Sequence, residues 1–523
     1  MTKYYLTAIL ILLFIAKNFA CTNFIVTKGA SLNGSAYLVY TNDGEWLYHL
    51  KKYPAKDYKK GEWLQIGKGK IPQVSHTYAT LGFHMNEYQL SIGETTFTGR
   101  EELWNKKNFI KYWNLMKIAL ERAKTAREAI RVMTTIVEKY GYGSEGESFS
   151  IVDPNEAWIL EMIGKGENEK GAVWVAVKIP DGYVSAHANM SRIGEFPLND
   201  TSVCYYYKDI IKFAADKGYY DLKNPRPFRF NEVFNPSTPE RLKYCESRVW
   251  SIFNRLAPSL NLSIDYCRGV KGASPYPLYV RPDKKLDFKD VANIIRDHYE
   301  GTPLDMTKGI QAGPFGNPNR VRPLNWENNG KKYQWERAIS TYNSAFSFIA
   351  QMRSWLPDNI GGIVWFGEDD TYSTCYLPMY VGIKKVPDAY KIGDIYKFSW
   401  KSAWWVFNFV ANFANIRYVD MIKDIKKVQK QHENMYLSQI DSIDAKAIKL
   451  LKTSGKEKSN IFLTNYVSNE GSKLITDWIN LGEYIITKYN DGYVKDFKNH
   501  KINQTGYPKD WYNKVNRYNT NCK

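Results

Sequence analysis

Several motifs that would identify a common enzyme class are missing from this 523-residue sequence. It has no CxxC pair and no HExxH segment, and its seven histidines are scattered, which argues against a zinc site. A phosphate-binding loop and a dinucleotide-binding fingerprint are missing as well. The sequence therefore predicts no metal and no cofactor.

Long apolar runs and internal repeats are lacking too. Residues 6–16 form an apolar run that is too short to span a bilayer, so no stable membrane insertion is expected. Lys and Arg outnumber Asp and Glu by 72 to 54, but no nucleic-acid-binding motif accompanies the net charge of +18. We interpret the excess as solvated surface charge, with anionic surfaces as a minor alternative, and predict no nucleic-acid binding. The oligomeric state is left open.

What the sequence does have is an aromatic-rich body behind a leader-like start. Apolar residues make up 44% and aromatic residues 15%, which is typical of a globular chain with a large core. Residues 1–20 resemble a secretory signal peptide, with the basic Lys3, the apolar run and the small Ala20 at the cleavage position. We expect a secreted or periplasmic protein, or one of a lysosomal-type compartment in a eukaryote.

Cleavage after Ala20 would make Cys21 the first residue of the mature chain. Its α-amine, with an ordinary pKa of about 7.7–8.0, could take the proton of the thiol, whose ordinary pKa is about 8.5. This is the arrangement of an N-terminal nucleophile. Two other interpretations stay open here: Cys21 as the lipid-attachment site of an anchored binding protein, or as a structural cysteine. Asn18 and Phe19 fit a lipid-attachment site poorly.

The remaining cysteines allow disulfides in an exported chain. With Cys21 kept as a free thiol, five of the six cysteines remain, and at most two bridges can form among them. These five are Cys204, Cys245, Cys267, Cys375 and Cys522. The sequence does not indicate their pairing.

Residue patterns predict strands at both ends of a long span, with helices between and after them. The predicted strands are 22–27, 36–41, 80–85, 89–93, 149–152, 158–162, 173–179, 183–187, 339–350, 362–367 and 375–381. Helical periodicity covers 101–140, 418–435 and 473–489, whereas 224–323 is expected to be mostly loops with short helices such as 290–299. This order fits a two-sheet core flanked by helices at 21–395 and a helical C-terminal region at 396–523.

Six short motifs, taken in order, point to one family. They are residues 21–23, 42–43, 85–97, 144–149, 185–189 and 336–341. Together they resemble the secreted cysteine dipeptidases (dipeptidase A-like) of the N-terminal-nucleophile hydrolase superfamily, through nearly the whole mature chain. The resemblance implies an α+β fold, a four-layer αββα sandwich with a C-terminal helical extension. It also implies hydrolysis of dipeptides or short peptides without a metal.

Wider relatives in that superfamily include penicillin V acylase and bile salt hydrolase, which cut other amides with the same machinery. An acyl-amide hydrolase is therefore the alternative enzyme, because a fold does not choose its substrate. Residues 93–96 favour the peptidase branch by resemblance. The lipid-anchored binding protein remains the alternative of another class.

The resemblance assigns four catalytic roles. Cys21 would attack the scissile carbonyl, with its own α-amine as the base. Asp43 would hold that amine in place, and Asn189 would stabilise the oxyanion of the tetrahedral intermediate. Arg337 would lie near the nucleophile and lower the pKa of its thiol.

Three further residues are candidates for the substrate side of the site. Thr95 belongs to the turn that would supply a second oxyanion donor, and Glu94 and Glu147 would bind the free amine of a peptide. His187 is expected to be a core histidine rather than the base. The sequence departs from the family at Tyr40, where relatives commonly have an arginine three residues before the aspartate that matches Asp43.

Overall fold

The computed structural model describes residues 20–514, so the predicted signal peptide, apart from Ala20, and Cys522 lie outside the described residues. Two large antiparallel sheets form the centre. The first sheet contains, in spatial order, Tyr279–Val280, Val184–His187, Ala20–Val26, Ala36–Asp43, Ser344–Met352, Ile363–Glu368 and Leu377–Tyr380. The second sheet contains Cys204–Tyr206, Ala172–Ile179, Ala157–Gly164, Gly146–Val152, Ser91–Thr98, Met85–Asn86, Thr80–Leu81 and Lys52–Tyr53.

The two sheets pack face to face where Ala20–Val26 of the first meets Ser91–Thr98 of the second. Asn23 joins them: oriented to satisfy both ends of its amide, it accepts from the Glu94 N–H at 2.9 Å and donates to the Glu94 carbonyl at 3.3 Å. A Cβ on Gly93 would lie 2.9 Å from the side-chain amide of Asn23, so glycine permits this close approach. The polar bridge fixes the two strands at the level of Cys21.

Helices cover both outer faces of the sheet pair. Tyr112–Arg122 and Ala126–Tyr140 pack on the second sheet, and Thr125 caps the latter helix by accepting from the Glu128 N–H. The helices on the first sheet are Pro239–Leu256, Phe288–Ile295, Ala403–Ala414 and Tyr418–Tyr489. The order helix, sheet, sheet, helix confirms the predicted αββα sandwich with a helical C-terminal part.

The C-terminal helix Tyr418–Tyr489 is bent back on itself. Gly455 has a φ of +84°, which breaks the helix into two arms. Side chains from the two arms bond across the pair, as Lys488 does to Asp424 at 2.7 Å. The boundary predicted between 395 and 396 stays a prediction.

Smaller elements decorate the sandwich. The short helices are Ile210–Asp216, Phe230–Phe234, Asp358–Gly361 and Lys509–Lys514. The two-stranded pairs are Lys56–Asp57 with His76–Thr77, Trp63–Ile66 with Gly69–Pro72, Asn325–Asn328 with Lys331–Gln334, and Tyr493–Asp496 with Lys501–Gln504. Between residues 20 and 514, no helix is both long and apolar enough to cross a membrane. The five cysteines in that range are buried free thiols.

Three predictions from the sequence differ from the structure. The helical stretch expected at 101–140 is two helices, Tyr112–Arg122 and Ala126–Tyr140, because the chain is extended at Ala123 and residues 104–111 lie outside any helix. The other two differences lie near the candidate site. The strand expected at 339–350 begins only at Ser344, because the preceding residues form the loop that carries Arg337. The region expected to be mostly loops contains the 18-residue helix Pro239–Leu256. Both differences matter because these segments reach the candidate site.

Candidate active site

Cys21 is buried in the middle of the first sheet, opposite Asn42 in the strand register. Its backbone N–H donates to Asn189 Oδ1 at 3.2 Å. Its carbonyl oxygen accepts from Arg248 Nη1 at 2.7 Å. The main chain of this residue is therefore held on both sides by side chains that are far away in the sequence.

The sulfur of Cys21 lies among three polar side chains. Sγ is 3.6 Å from Glu94 Oε1, 3.8 Å from Tyr40 Oη and 3.9 Å from Asn42 Nδ2. The three side chains are also bonded to each other: Tyr40 donates to Glu94 Oε1 at 2.5 Å, and Asn42 donates to the Tyr40 oxygen at 2.6 Å. Trp46 in turn donates to Asn42 Oδ1 at 3.0 Å and fixes that amide.

This environment favours the neutral thiol. Burial raises the pKa of Cys21 well above its ordinary value, and the negative charge of Glu94 raises it further. The neighbouring hydroxyl of Tyr40 and the charge of Arg337 lower this pKa but do not prevail. Activation of Cys21 therefore needs a change in its surroundings, such as a free α-amine at its own nitrogen.

Asn189 lies at the end of strand Val184–His187 and has a φ of +59°, a conformation that asparagine tolerates better than most residues. The following loop is fixed by the buried carboxylate of Glu161, which accepts from the Arg192 N–H at 2.7 Å. The amide of Asn189 donates to the Thr96 carbonyl at 3.0 Å. A second N–H of the same amide is left for an oxyanion, the role that stays a prediction.

Asp43 and Arg337 form a buried ion pair at the end of strand Ala36–Asp43. The other carboxylate oxygen of Asp43 accepts from Ser344 Oγ at 2.7 Å, and its strand partner is Ala20. Burial lowers the pKa of Arg337 to about 10, against the opposing effect of a negative charge on Cys21. The structure thus places Asp43 beside the residue that precedes Cys21, with Arg337 as its counter-ion.

Thr95 and His187 belong to a hydrogen-bonded set inside the sandwich. The Thr95 hydroxyl lies 2.7 Å from His187 Nδ1, and Ser150 Oγ lies 2.7 Å from Nε2. Burial lowers the pKa of His187 to about 3, so the ring is neutral. The expectation of a core histidine is confirmed, and the side chain of Thr95 is engaged there.

Glu94 and Glu147 are two buried carboxyl groups on neighbouring strands of the second sheet. Thr96 Oγ1 donates to Glu147 Oε1 at 2.8 Å. Burial raises the pKa of both carboxyl groups, and the charge of Glu94 raises that of Glu147 further. Apart from Arg337, which pairs with Asp43, no lysine or arginine among residues 20–514 forms an ion pair with either one. The two side chains are also hydrogen-bonded to each other, with Glu147 as the protonated donor, so the pair carries a single negative charge that a ligand cation would suit.

Arg248 is a site residue that the sequence reasoning missed. It lies fully buried on helix Pro239–Leu256 and donates to the Cys21 carbonyl, Thr22 Oγ1, the Ala188 carbonyl and Asn189 Oδ1. The signal for its helix was present, because Thr238 followed by a proline is a typical helix start.

Comparison with known proteins agrees with this geometry. A model of Peptidase family C69 matches residues 49–431, well over half of the chain. The chain belongs to peptidase family C69. The match includes Glu94, Glu147, Asn189, Arg248 and Arg337 and begins after Cys21.

Relatives in curated collections carry matching names. A "Probable dipeptidase" of Salmonella dublin is 26% identical over 75% of this chain and 87% of its own length. A "Probable dipeptidase" of Latilactobacillus sakei is 24% identical over 76% and 82%. "Dipeptidase A" of Lactobacillus helveticus is 23% identical over 91% and 99%. The prediction of an enzyme of the cysteine-type dipeptidase class agrees with this C69 membership.

Proposed function

We propose that this C69 peptidase is an exported cysteine dipeptidase that uses Cys21 as its N-terminal nucleophile after removal of residues 1–20. One observation carries the proposal. In one buried site, the backbone nitrogen of Cys21 is hydrogen-bonded to Asn189 and its sulfur is hydrogen-bonded to Glu94. A secreted or periplasmic location, and a short peptide as substrate, belong to the same proposal.

The reaction follows from the position of the Cys21 nitrogen. Once Ala20 is removed, that nitrogen becomes an α-amine held at Asn189 Oδ1, and it takes the proton of the thiol. The thiolate attacks the peptide carbonyl, and the oxyanion is met by the Asn189 amide. Collapse breaks the C–N bond, the leaving amine receives the proton from the Cys21 ammonium, and a thioester remains. Water then hydrolyses the thioester and regenerates the thiol.

The substrate would be recognised through its free amino terminus. The α-ammonium of a peptide has three N–H donors, and Glu94 and Glu147 offer it two carboxyl groups in a buried place. Such charge-assisted contacts are worth about 1.5–3 kcal/mol each. This feature favours a peptidase over an acyl-amide hydrolase, whose substrates carry a neutral acyl group there.

The direct test compares a chain that begins at Cys21 with one that retains residues 1–20. We expect hydrolysis of alanyl-alanine only by the first, because an amide nitrogen cannot serve as the base. Cys21→Ala should abolish turnover, whereas Cys204→Ala, which removes another buried thiol far along the second sheet, should preserve it. Equal activity with residues 1–20 attached would contradict the mechanism.

Two measurements separate the alternatives. N-acetyl-alanyl-alanine should be cut at least about tenfold more slowly than the free dipeptide in kcat/KM. Equal rates, together with cleavage of glyco- or tauro-conjugates, would favour the acyl-amide hydrolase. Intact-mass analysis of the exported protein should give a free N-terminal cysteine, and a diacylglycerol adduct would indicate the lipid-anchored binding protein instead.

A further inference from the structure

Tyr40 holds one proton between two acceptors. A tyrosine hydroxyl donates a single hydrogen bond, and here it goes to Glu94 Oε1 at 2.5 Å. Asn42 fills the acceptor side of the same hydroxyl at 2.6 Å, which fixes the position of the oxygen. The Cys21 sulfur lies 3.8 Å from this hydroxyl and 3.6 Å from the same oxygen of Glu94. Glu94 Oε1 therefore accepts from both the Tyr40 hydroxyl and the Cys21 thiol.

This arrangement of Tyr40 and Glu94 keeps Cys21 in its neutral thiol form. A thiolate at Cys21 would face the Glu94 carboxylate while the proton of Tyr40 is directed away from the sulfur. Like charges in a buried place are unfavourable, and the charge of Glu94 contributes to the raised pKa of this thiol. A cationic side chain at position 40 would place a permanent positive charge beside the sulfur. Tyrosine supplies only a hydroxyl that can change partner.

A cation on Glu94 would change this balance. An ammonium group brings three donors and a positive charge, so it can satisfy the carboxylate that now accepts from Tyr40. The hydroxyl proton can then turn towards Sγ by rotation about the C–O bond alone, since Asn42 holds the oxygen in place. A hydrogen bond to a thiolate stabilises that charged form.

We propose that Tyr40 is a positioning residue: its hydroxyl proton is held by Glu94 in the free enzyme and turns to the Cys21 sulfur when the α-ammonium of a substrate occupies Glu94. This inference rests on the function proposed above. A peptide with a free amino terminus thus activates the nucleophile that cuts it. The thiol proton still passes to the α-amine of Cys21. Tyr40 and the substrate ammonium keep their protons, and Glu94 stays a carboxylate.

The test separates kcat from KM on matched substrates, alanyl-alanine and N-acetyl-alanyl-alanine. In the wild type, the preference for the free dipeptide should appear in kcat as well as in KM. Tyr40→Phe should lower kcat on the free dipeptide at least about tenfold and leave kcat on the acetylated one within about twofold. The ratio of KM between the acetylated and the free dipeptide should stay the same, because Glu94 and Glu147 still bind the amine. Tyr37→Phe is the matched control: it removes a buried hydroxyl from the same strand, one that accepts from Gln351, and should leave both kcat values unchanged.

A second variant keeps the inference testable if Tyr40→Phe folds poorly. Glu94→Gln removes the charge beside the sulfur, so kcat on the acetylated dipeptide should rise at least about threefold while KM for the free dipeptide increases. A loss of kcat on both substrates in Glu94→Gln, or an equal loss on both in Tyr40→Phe, would overturn the inference. Those outcomes leave dipeptide hydrolysis by the wild type intact, whereas the proposed function fails only if the wild type cuts neither substrate.

Discussion

Buried carboxyl groups on the two sides of the first sheet differ in whether they have an ion-pair partner. Where the C-terminal helix packs, Arg353 pairs with Asp444, and Arg296 pairs with Glu433 at 2.5 Å. Each of these carboxylates accepts a further protein hydrogen bond, Asp444 from the Tyr380 hydroxyl at 2.8 Å. In the candidate site, Glu94 and Glu147 are more deeply buried, and apart from Arg337, which pairs with Asp43, no lysine or arginine among residues 20–514 forms an ion pair with them.

The comparison separates structural charges from functional ones. A buried charge is tolerated when a partner and enough hydrogen bonds compensate for its lost hydration. The helix-side pairs meet that condition inside the protein. Glu94 and Glu147 instead share a proton, and we propose that a cation of the substrate compensates the negative charge that remains.

The largest effect should come from breaking a complete pair. Arg353→Met leaves Asp444 buried without its cation and removes donors from the Gly361 and Ile360 carbonyls. We expect the free energy of unfolding to fall by about 3–5 kcal/mol, measured by chemical denaturation. The matched control is Lys384→Met, which breaks an exposed pair with Glu457 and should cost at most about 1 kcal/mol. Similar losses for the two variants would remove the distinction.

Glu147→Gln should do the reverse and impair function rather than stability. We expect KM for free dipeptides to rise about ten- to a hundredfold, because a charge-assisted contact to the ammonium is lost.

The folded-state pKa of Glu147 is raised, so the wild type loses stability as pH rises above the ordinary glutamate range. The variant should therefore unfold less easily than the wild type at pH 8, with the difference shrinking towards pH 4. Lower stability at pH 8 would contradict this.

A smaller and graded effect should appear in the pH dependence of KM. Protons compete with the substrate ammonium for Glu94 and Glu147, and the raised pKa values place this competition above the usual range of a glutamate. KM for alanyl-alanine should therefore increase as pH falls, by at most about tenfold per unit. KM for N-acetyl-alanyl-alanine should stay flat over the same range, and a parallel rise for both would mean that another group titrates.

The sandwich could be predicted from the sequence because local residue patterns indicate its strands and helices. The strand-forming residues 22–27 after Cys21 and the helical spacing of apolar residues in 126–140 are visible without any tertiary information. The break at Gly455 was not predicted, since a glycine within helical periodicity is usually tolerated.

The site could be predicted only in part, because it depends on contacts between distant segments. Cys21 and Tyr40 stand out by position, and the motifs carried Glu94 and Asn189 by resemblance. Arg248 carries no mark of its own: its guanidinium reaches Cys21 across 227 positions of sequence. No local pattern encodes such a contact, which arises only when helix Pro239–Leu256 packs against the first sheet.

The strand register also bears on the timing of maturation. Ala20 already pairs with Asp43, so in the folded chain the peptide bond before Cys21 lies inside a sheet. A processing peptidase needs its target segment extended and accessible, and a strand that is already paired within a sheet is extended but not accessible. Removal of residues 1–20 as proposed must therefore precede closure of the first sheet, during or directly after export. A chain that folds first would remain an inactive precursor. The yield of active enzyme would therefore depend on the rate of cleavage relative to the rate of folding.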